Sequence, residues 1–220
     1  MEIKAVIFDM DGTISDSENI AKDVLTSLMQ KQGYPFYFEQ FINVIGINKN
    51  QSIKYLSTFT HDDKISDQIL TSSGKIMNEY LKQGKIPLKK GAMDLINWLK
   101  KHNFPIALAT SAPMEKIYYT FNGNGYQVPF THIVTGDMVK KSKPDPQIFL
   151  LASEKMNVPI ENCLVIEDSY NGIKAALNAH AIACMVPDLL QPNEEILKEN
   201  VIIKNDLTLV KSLLEKYVNP

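Results

Sequence analysis

Four short groups of residues carry the chemistry that this sequence can offer. Asp9-Met10-Asp11-Gly12-Thr13 sets two carboxylates one residue apart directly behind the apolar run Ala5-Val6-Ile7-Phe8, with a glycine that permits a tight exit. Thr110 and Ser111 close the run Ile106-Ala107-Leu108-Ala109 just before Pro113 opens a helix, and such a turn can hold phosphate oxygens. Lys143-Pro144-Asp145-Pro146 brackets an ammonium with prolines that restrict the backbone. Glu167-Asp168 ends the run Cys163-Leu164-Val165-Ile166. Each group alone has an ordinary structural reading: a polar turn at Asp9 and Asp11, a helix cap at Thr110, a solvated surface at Lys140 and Lys141, a carboxylate at a helix N-terminus for Glu167 or Asp168. Together they are complementary. Asp9, Glu167 and Asp168 would crowd negative charge into one small volume, where repulsion would otherwise force protonation, so a cation is expected. An all-oxygen donor set selects a hard ion, and Mg²⁺ is the one that bridges carboxylates to substrate phosphate oxygens.

These groups need a scaffold that brings four distant segments to one edge. Short apolar runs at 3–8, 104–110, 132–135, 163–167, 181–186 and 201–203 alternate with amphipathic helical patterns, which predicts an α/β fold with a parallel sheet covered on both faces. Ala92, Leu95, Ile96 and Leu99 form one helical stripe. Leu207, Val210, Leu214 and Tyr217 form another behind the N-cap candidate Asp206, and Pro146 suits the first turn of a third helix. Ligands of such sheets bind beyond the C-terminal strand ends, where all four groups fall. From about 17 to 84 the alternation stops and only helical patterns remain, so an all-helical insertion is expected, with 1–16 and 85–220 forming the α/β core. The aromatic group Phe36, Tyr37, Phe38 and Phe41 is expected in the insertion's own core.

Composition narrows the function classes. The chain has 220 residues, 45% of them hydrophobic and 22% charged, the balance of a soluble globular protein with a sizeable core. A net charge of −2 gives no general attraction to nucleic acid or anionic lipid. All 23 basic residues are Lys, so any phosphate is held by point-charge ammoniums rather than guanidinium forks. Cys163 and Cys184 lie in apolar runs without metal-ligand spacing and read as buried, reduced packing residues. With no secretory signal and no bilayer-length apolar stretch, a cytoplasmic monomer is expected.

The four groups, in order, resemble the motifs of the haloacid dehalogenase-like superfamily, and the likeness runs through essentially the whole chain. It is similar to the branch with a helical cap inserted after the first motif, which includes β-phosphoglucomutase and sugar-phosphate, phosphoglycolate and nucleotide phosphatases; the stretches at 106–111 and 185–188 also resemble pseudouridine 5'-phosphatases. The resemblance implies a Rossmann-like core and a mechanism in which Asp9 attacks phosphorus to form an aspartyl-phosphate while Asp11 protonates the leaving oxygen and later deprotonates water. Thr110 and Lys143 would hold the transferring phosphoryl oxygens, aided by Ser111. Mg²⁺ would take the Asp9 carboxylate, the Asp11 carbonyl and the Asp168 carboxylate, with Glu167 directly or through water. Gly46, Asn48 and Lys49 match the cap's substrate loop, and Ser17 is a further candidate for the same cavity.

Two departures set the direction within that branch. Where β-phosphoglucomutase has a histidine after the first motif this sequence has Ala21, and where it has a substrate-loop arginine there is Lys49. A phosphatase acting on a small phosphorylated metabolite, such as a sugar phosphate or nucleotide, is therefore favoured over a phosphomutase. Dehalogenation fits less well because it needs neither Asp11 nor a metal. A non-catalytic phosphometabolite-binding protein is the reading from a different class, since fold alone does not prove activity.

Overall fold

The computed structural model describes residues 2–45, 47 and 49–218. Six parallel strands form one sheet in the order β3-β2-β1-β4-β5-β6, where β1 is Ala5–Phe8, β2 Ile106–Thr110, β3 His132–Thr135, β4 Cys163–Glu167, β5 Ile182–Met185 and β6 Ile202–Ile203. The helices are α1 Ser17–Lys31, α2 Phe38–Phe41, α3 Lys49–Thr60, α4 Asp63–Lys82, α5 Ala92–Lys101, α6 Met114–Gly123, α7 Gln147–Met156, α8 Tyr170–Asn178, α9 Glu194–Lys198 and α10 Leu207–Val218. No helix among the described residues is long and apolar enough to cross a membrane.

Every residue of β1, β2 and β4 is buried, because successive side chains point to opposite faces and both faces carry helices. Val6, Phe8, Leu108 and Ile166 pack with α5, α6 and α10 on one side. Ala5, Ile7, Ala107 and Val165 pack with α7 and α8 on the other. The apolar stripe predicted at Ala92, Leu95, Ile96 and Leu99 is wholly buried. Asp206 caps α10 as predicted, its Oδ1 accepting from the Thr208 and Leu209 amides at 2.9 and 3.0 Å. Pro146 stands one residue before α7, at its cap, rather than inside its first turn.

From the central strand β1 the chain fills one side of the sheet (β2, β3) and then returns to the other (β4, β5, β6). The strand order therefore reverses between β1 and β4, and the crevice at their C-terminal ends is where a doubly wound sheet binds ligands. The segment from α1 to α4 forms the helical cap over that edge, around Leu25, Met29, Phe36, Phe41, Leu56 and Ile69. Phe36 stacks edge-on with Phe59, ring centres 5.6 Å apart. Asp62 starts α4 by accepting from the Lys64 and Ile65 amides. The aromatic group divides: Phe36 and Phe41 are in this core, but Tyr37 and Phe38 are 55% and 44% exposed, since consecutive residues at a helix start cannot all face one way.

Both cysteines are buried in strands, and burial pushes each thiol up to about 12 from an ordinary value near 9. Because the folded value lies above the unfolded one, their contribution to stability is fully present below pH 9 and is lost as pH rises above it. A chromogenic disulfide reagent should label neither thiol in native protein at pH 8 and both in guanidinium chloride, while the urea midpoint drops above pH 9. Fast native labelling of either cysteine would contradict the packing.

Candidate active site

The four groups converge at the C-terminal edge of the sheet, on a cavity of about 380 Å³ lined by Asp9, Asp11, Thr110, Lys143, Glu167 and Asp168 among others. Asp9 leaves β1, Thr110 ends β2 and Glu167 ends β4, so hydrogen-bonded neighbours in the sheet fix their spacing. Lys143, from the loop before α7, is nine-tenths buried and donates to Asp9 Oδ1 at 2.5 Å and Glu167 Oε1 at 2.6 Å. Its ammonium also lies 4.9 Å from the centre of the Phe149 ring. Lys140 and Lys141 are exposed, the solvated surface expected of them.

Glu167 anchors the turn that follows it. Its Oε2 accepts from the Asp168 amide, the Ser169 amide and the Ser169 hydroxyl at 2.9–3.0 Å, and Ser169 in turn caps α8 by accepting from the Gly172 amide. A Cβ on Gly172 would lie 1.9 Å from the Glu167 carboxylate, so only glycine admits that side chain. Gly12 plays the same part for Asp168. Its φ is +77°, and a Cβ there would meet Asp168 Oδ2 at 2.2 Å. Thr13 donates to the other oxygen, Oδ1, at 3.1 Å.

Asp9, Glu167 and Asp168 offer ligand oxygens within 4.8 Å of one another, all from buried residues. Oδ2 of Asp9 and Oδ2 of Asp168 receive no hydrogen bond among the described residues. Burial, reinforced by Glu167, pushes the Asp9 carboxyl up to about 8 against the attraction of Lys143, and burial with repulsion from Glu167 and Asp9 raises Asp168 well above the usual carboxylate range. Buried, mutually repelling carboxylates with unmatched oxygens suit a hard divalent cation, which reverses the local preference for the protonated forms.

Asp11 is held separately. Ser17 Oγ donates to its Oδ1 at 2.7 Å, and Lys116 Nζ lies 2.7 Å from Oδ1 and 2.8 Å from Oδ2. Asp11 thus takes part in the cavity without sharing the Lys143 ammonium. Thr110 is buried and accepts from the Ala112 amide at 3.0 Å, which leaves its hydroxyl proton for another acceptor.

A model of the haloacid dehalogenase-like hydrolases matches residues 6–186. The chain belongs to that family. Within it, the chain is 28% identical over 181 residues to a phosphorylated carbohydrates phosphatase of Thermotoga maritima, covering 80% of this chain and 82% of that one. It is 30% identical over 197 residues to (DL)-glycerol-3-phosphatase 2 of Arabidopsis thaliana, covering 84% and 80%. The crystal structure of a haloacid dehalogenase family hydrolase from Deinococcus radiodurans, with bound phosphate and sodium, superposes with a TM-score of 0.81 at 22% identity over 98% of this chain and 97% of that one, a likeness of fold.

Of the residues singled out in the sequence, Asp9, Asp11, Thr110, Ser111, Lys143, Glu167 and Asp168 all line the one cavity of this family member. Ser17 does not line it but bonds the acid behind it. Lys49 departs from expectation: its ammonium pairs with Asp67 of α4 at 2.6 Å and lies 3.4 Å from the Thr71 hydroxyl, because α3 and α4 pack side by side and Asp67 is the nearer anion. Gly46 and Asn48 lie outside the described residues. Lys116, which pairs with Asp11, and Glu18, which lines the cavity, were not singled out, since a lysine six residues beyond Thr110 and a glutamate in a helix's first turn carry no local motif.

The raised carboxyls give a signed expectation for metal-free protein. Asp9 and Asp168 favour the folded state while protonated, so this contribution is full below pH 4 and is lost as pH rises, for Asp9 through about 8. A cation favours the ionised forms instead. In thermal melts, MgCl₂ should raise Tm by about 3 °C at pH 8 and less than about 1 °C at pH 5. Gly12→Ala should lose the response. A shift equal at both pH values, or retained by Gly12→Ala, would contradict this assignment.

Proposed function

We propose that the protein is a Mg²⁺-dependent phosphomonoesterase that hydrolyses a small phosphorylated metabolite, such as a sugar phosphate or nucleotide, through an aspartyl-phosphate on Asp9. The observation that carries the reading is the placement of Asp9 between a buried ammonium and two further buried carboxylates, with a second aspartate, Asp11, held at the same cavity by other partners. The names of its relatives as phosphatases of phosphorylated carbohydrates and of glycerol 3-phosphate support it.

In this reading the Asp9 carboxylate attacks phosphorus and the bond to the leaving oxygen breaks as Asp11 supplies its proton. Asp11 then removes a proton from the water that cleaves the acyl phosphate. Lys143 and the Thr110 hydroxyl hold the equatorial oxygens, where charge spreads in the transition state and preorganised donors have most effect. Asp9, Asp168 and the Asp11 carbonyl would hold Mg²⁺, with Glu167 directly or through water; when bound it would neutralise the carboxylates and the phosphoryl group they face. The core, 1–16 and 85–220, performs the chemistry, and the insertion, 17–84, covers the leaving group. Lys116 we assign as the positioning residue of Asp11, fixing both of its oxygens from α6.

With p-nitrophenyl phosphate as substrate, phosphate release should require Mg²⁺, cease with a chelator, and fall by about 10³-fold or more in Asp9→Asn. Undiminished turnover by that variant would overturn the reading, and exchange of hexose-phosphate isomers with little free phosphate would assign a mutase instead. The two parts of Asp11's environment separate by leaving group. p-Nitrophenolate departs without a proton whereas an alkoxide does not, so Lys116→Met should lower kcat by about 10²-fold on an alkyl phosphate and much less on p-nitrophenyl phosphate. Equal losses on both esters would reduce Lys116 to a structural role.

A further inference from the structure

The cavity has an unusual balance of charge. Besides the acidic cluster and Lys143 it is lined by Glu18 from the first turn of α1, Ile45 and Ile47 from the cap, and Ser111 from the core. Glu18 is half-buried, and its carboxylate makes no hydrogen bond or ion pair among the described residues. Every cation near it is already committed. Lys143 joins Asp9 to Glu167, Lys116 joins Asp11, Lys89 joins Asp16 to Asp188, and Lys49 joins Asp67. The chain has no arginine, and Gly46 and Asn48, which lie outside the described residues, carry no charge.

Five carboxylates therefore line the cavity against the single ammonium of Lys143, with Lys116 behind Asp11 and one divalent ion expected among the others. The phosphoryl dianion uses what positive charge there is. A second anion on the leaving group would meet Glu18 and Asp11 with no uncommitted cation to pair with it, and such like-charge juxtaposition is strongly unfavourable in a partly enclosed site. A hydroxyl would instead give Glu18 the donor it lacks. Burial first, then repulsion from Asp11, raises the Glu18 carboxyl to about 7, which further marks an environment hostile to added negative charge.

Building on the phosphatase reading, we propose that Glu18 is a specificity-determining residue that selects phosphomonoesters whose leaving group carries hydroxyl donors and no negative charge, and rejects esters bearing a carboxylate or a second phosphate. Ile45 and Ile47 limit the leaving group to a short chain or small ring by closing the cavity with apolar surface.

Two matched pairs test this with the full chain and Mg²⁺: 2-hydroxyethyl phosphate against phosphoglycolate, and glycerol 3-phosphate against 3-phosphoglycerate. In each pair a hydroxymethyl group is exchanged for a carboxylate at constant chain length. The neutral member should be favoured at least about 10-fold in kcat/KM. Glu18→Gln, which keeps an acceptor oxygen and loses the charge, should shrink that preference several-fold, and Glu18→Lys should shift it towards the carboxylate. Equal or better turnover of the carboxylate esters by the unmodified protein overturns the proposal, whether or not either variant folds. So does a preference left unchanged in folded Glu18→Gln. Hydrolysis of p-nitrophenyl phosphate without discrimination in the pairs rejects the Glu18 assignment alone; failure to hydrolyse any of these esters rejects the phosphatase reading and this one with it.

Discussion

Like charges forced together in a place water cannot dilute them are the constraint on which this molecule turns. Asp9, Glu167 and Asp168 are each at most 6% exposed, and each sits where a parallel strand runs out. Lys143 neutralises part of the charge by touching two of them, yet among the described residues it leaves Asp168 with only a neutral hydroxyl from Thr13. A buried carboxylate without a matching cation is costly, and proteins retain such groups where the missing partner arrives from outside. The same crowding explains why Gly12 and Gly172 cannot be other residues: the carboxylates fill the space a Cβ would need.

The sheet makes that crowding possible without strain. Neighbouring strands lie about 5 Å apart, so residues leaving β1 and β4 are held at nearly the separation that a shared cation demands, and Thr110 on the other neighbour of β1 completes the row. The register of Phe8 with Ile166 and with Leu108 fixes Asp9 relative to both sides. The reversal of strand order puts α5, which leads into β2, and α8, which follows β4, on opposite faces of the sheet, so neither closes the crevice between them.

Much of this could be read from the residues in order. All six strand runs differ from the structure by no more than two residues at either end, and His132–Thr135 and Cys163–Glu167 coincide with it, because a parallel strand covered on both faces must be largely apolar. The core site was legible for a related reason: the groups at Asp9, Thr110 and Glu167 stand directly at the end of such a run, so placing the strand places the group, whereas Lys143 follows β3 at a distance and was marked by its bracketing prolines. The rest depends on contacts between segments far apart in sequence. Lys116 meets Asp11 across 105 positions, and Lys49 turns to Asp67 because two cap helices pack there. Neither the spacing nor the composition of α3 or α6 contains that information. Tyr37 and Phe38 show the opposite failure, aromatic residues whose burial depends on a helix start that has no periodicity to reveal its inner face.

The first turn of α1 joins the chemistry to the cap. Three consecutive residues there face three different groups: Ser17 bonds Asp11, Glu18 faces the cavity, and Asn19 bonds Asp16 and Asp188. Lys89 draws Asp16 and Asp188 together from the returning linker, and the Asp16 amide bonds the Pro87 carbonyl at 2.9 Å, so the two crossings between core and cap are tied to each other. Asp16 stays below the usual carboxylate range because, against the opposing effect of burial, Asn19 and Lys89 both bond its ionised form. A rigid helix transmits any displacement of one residue of its first turn to the others. Displacing α1 relative to the sheet would therefore change Asp11's hydrogen bond from Ser17, the position of Glu18 and the Asp16–Lys89–Asp188 network at once, whereas Lys116 reaches Asp11 from the separate helix α6. The position of the cap and the environment of the Asp11 carboxyl are in that sense a single mechanical variable.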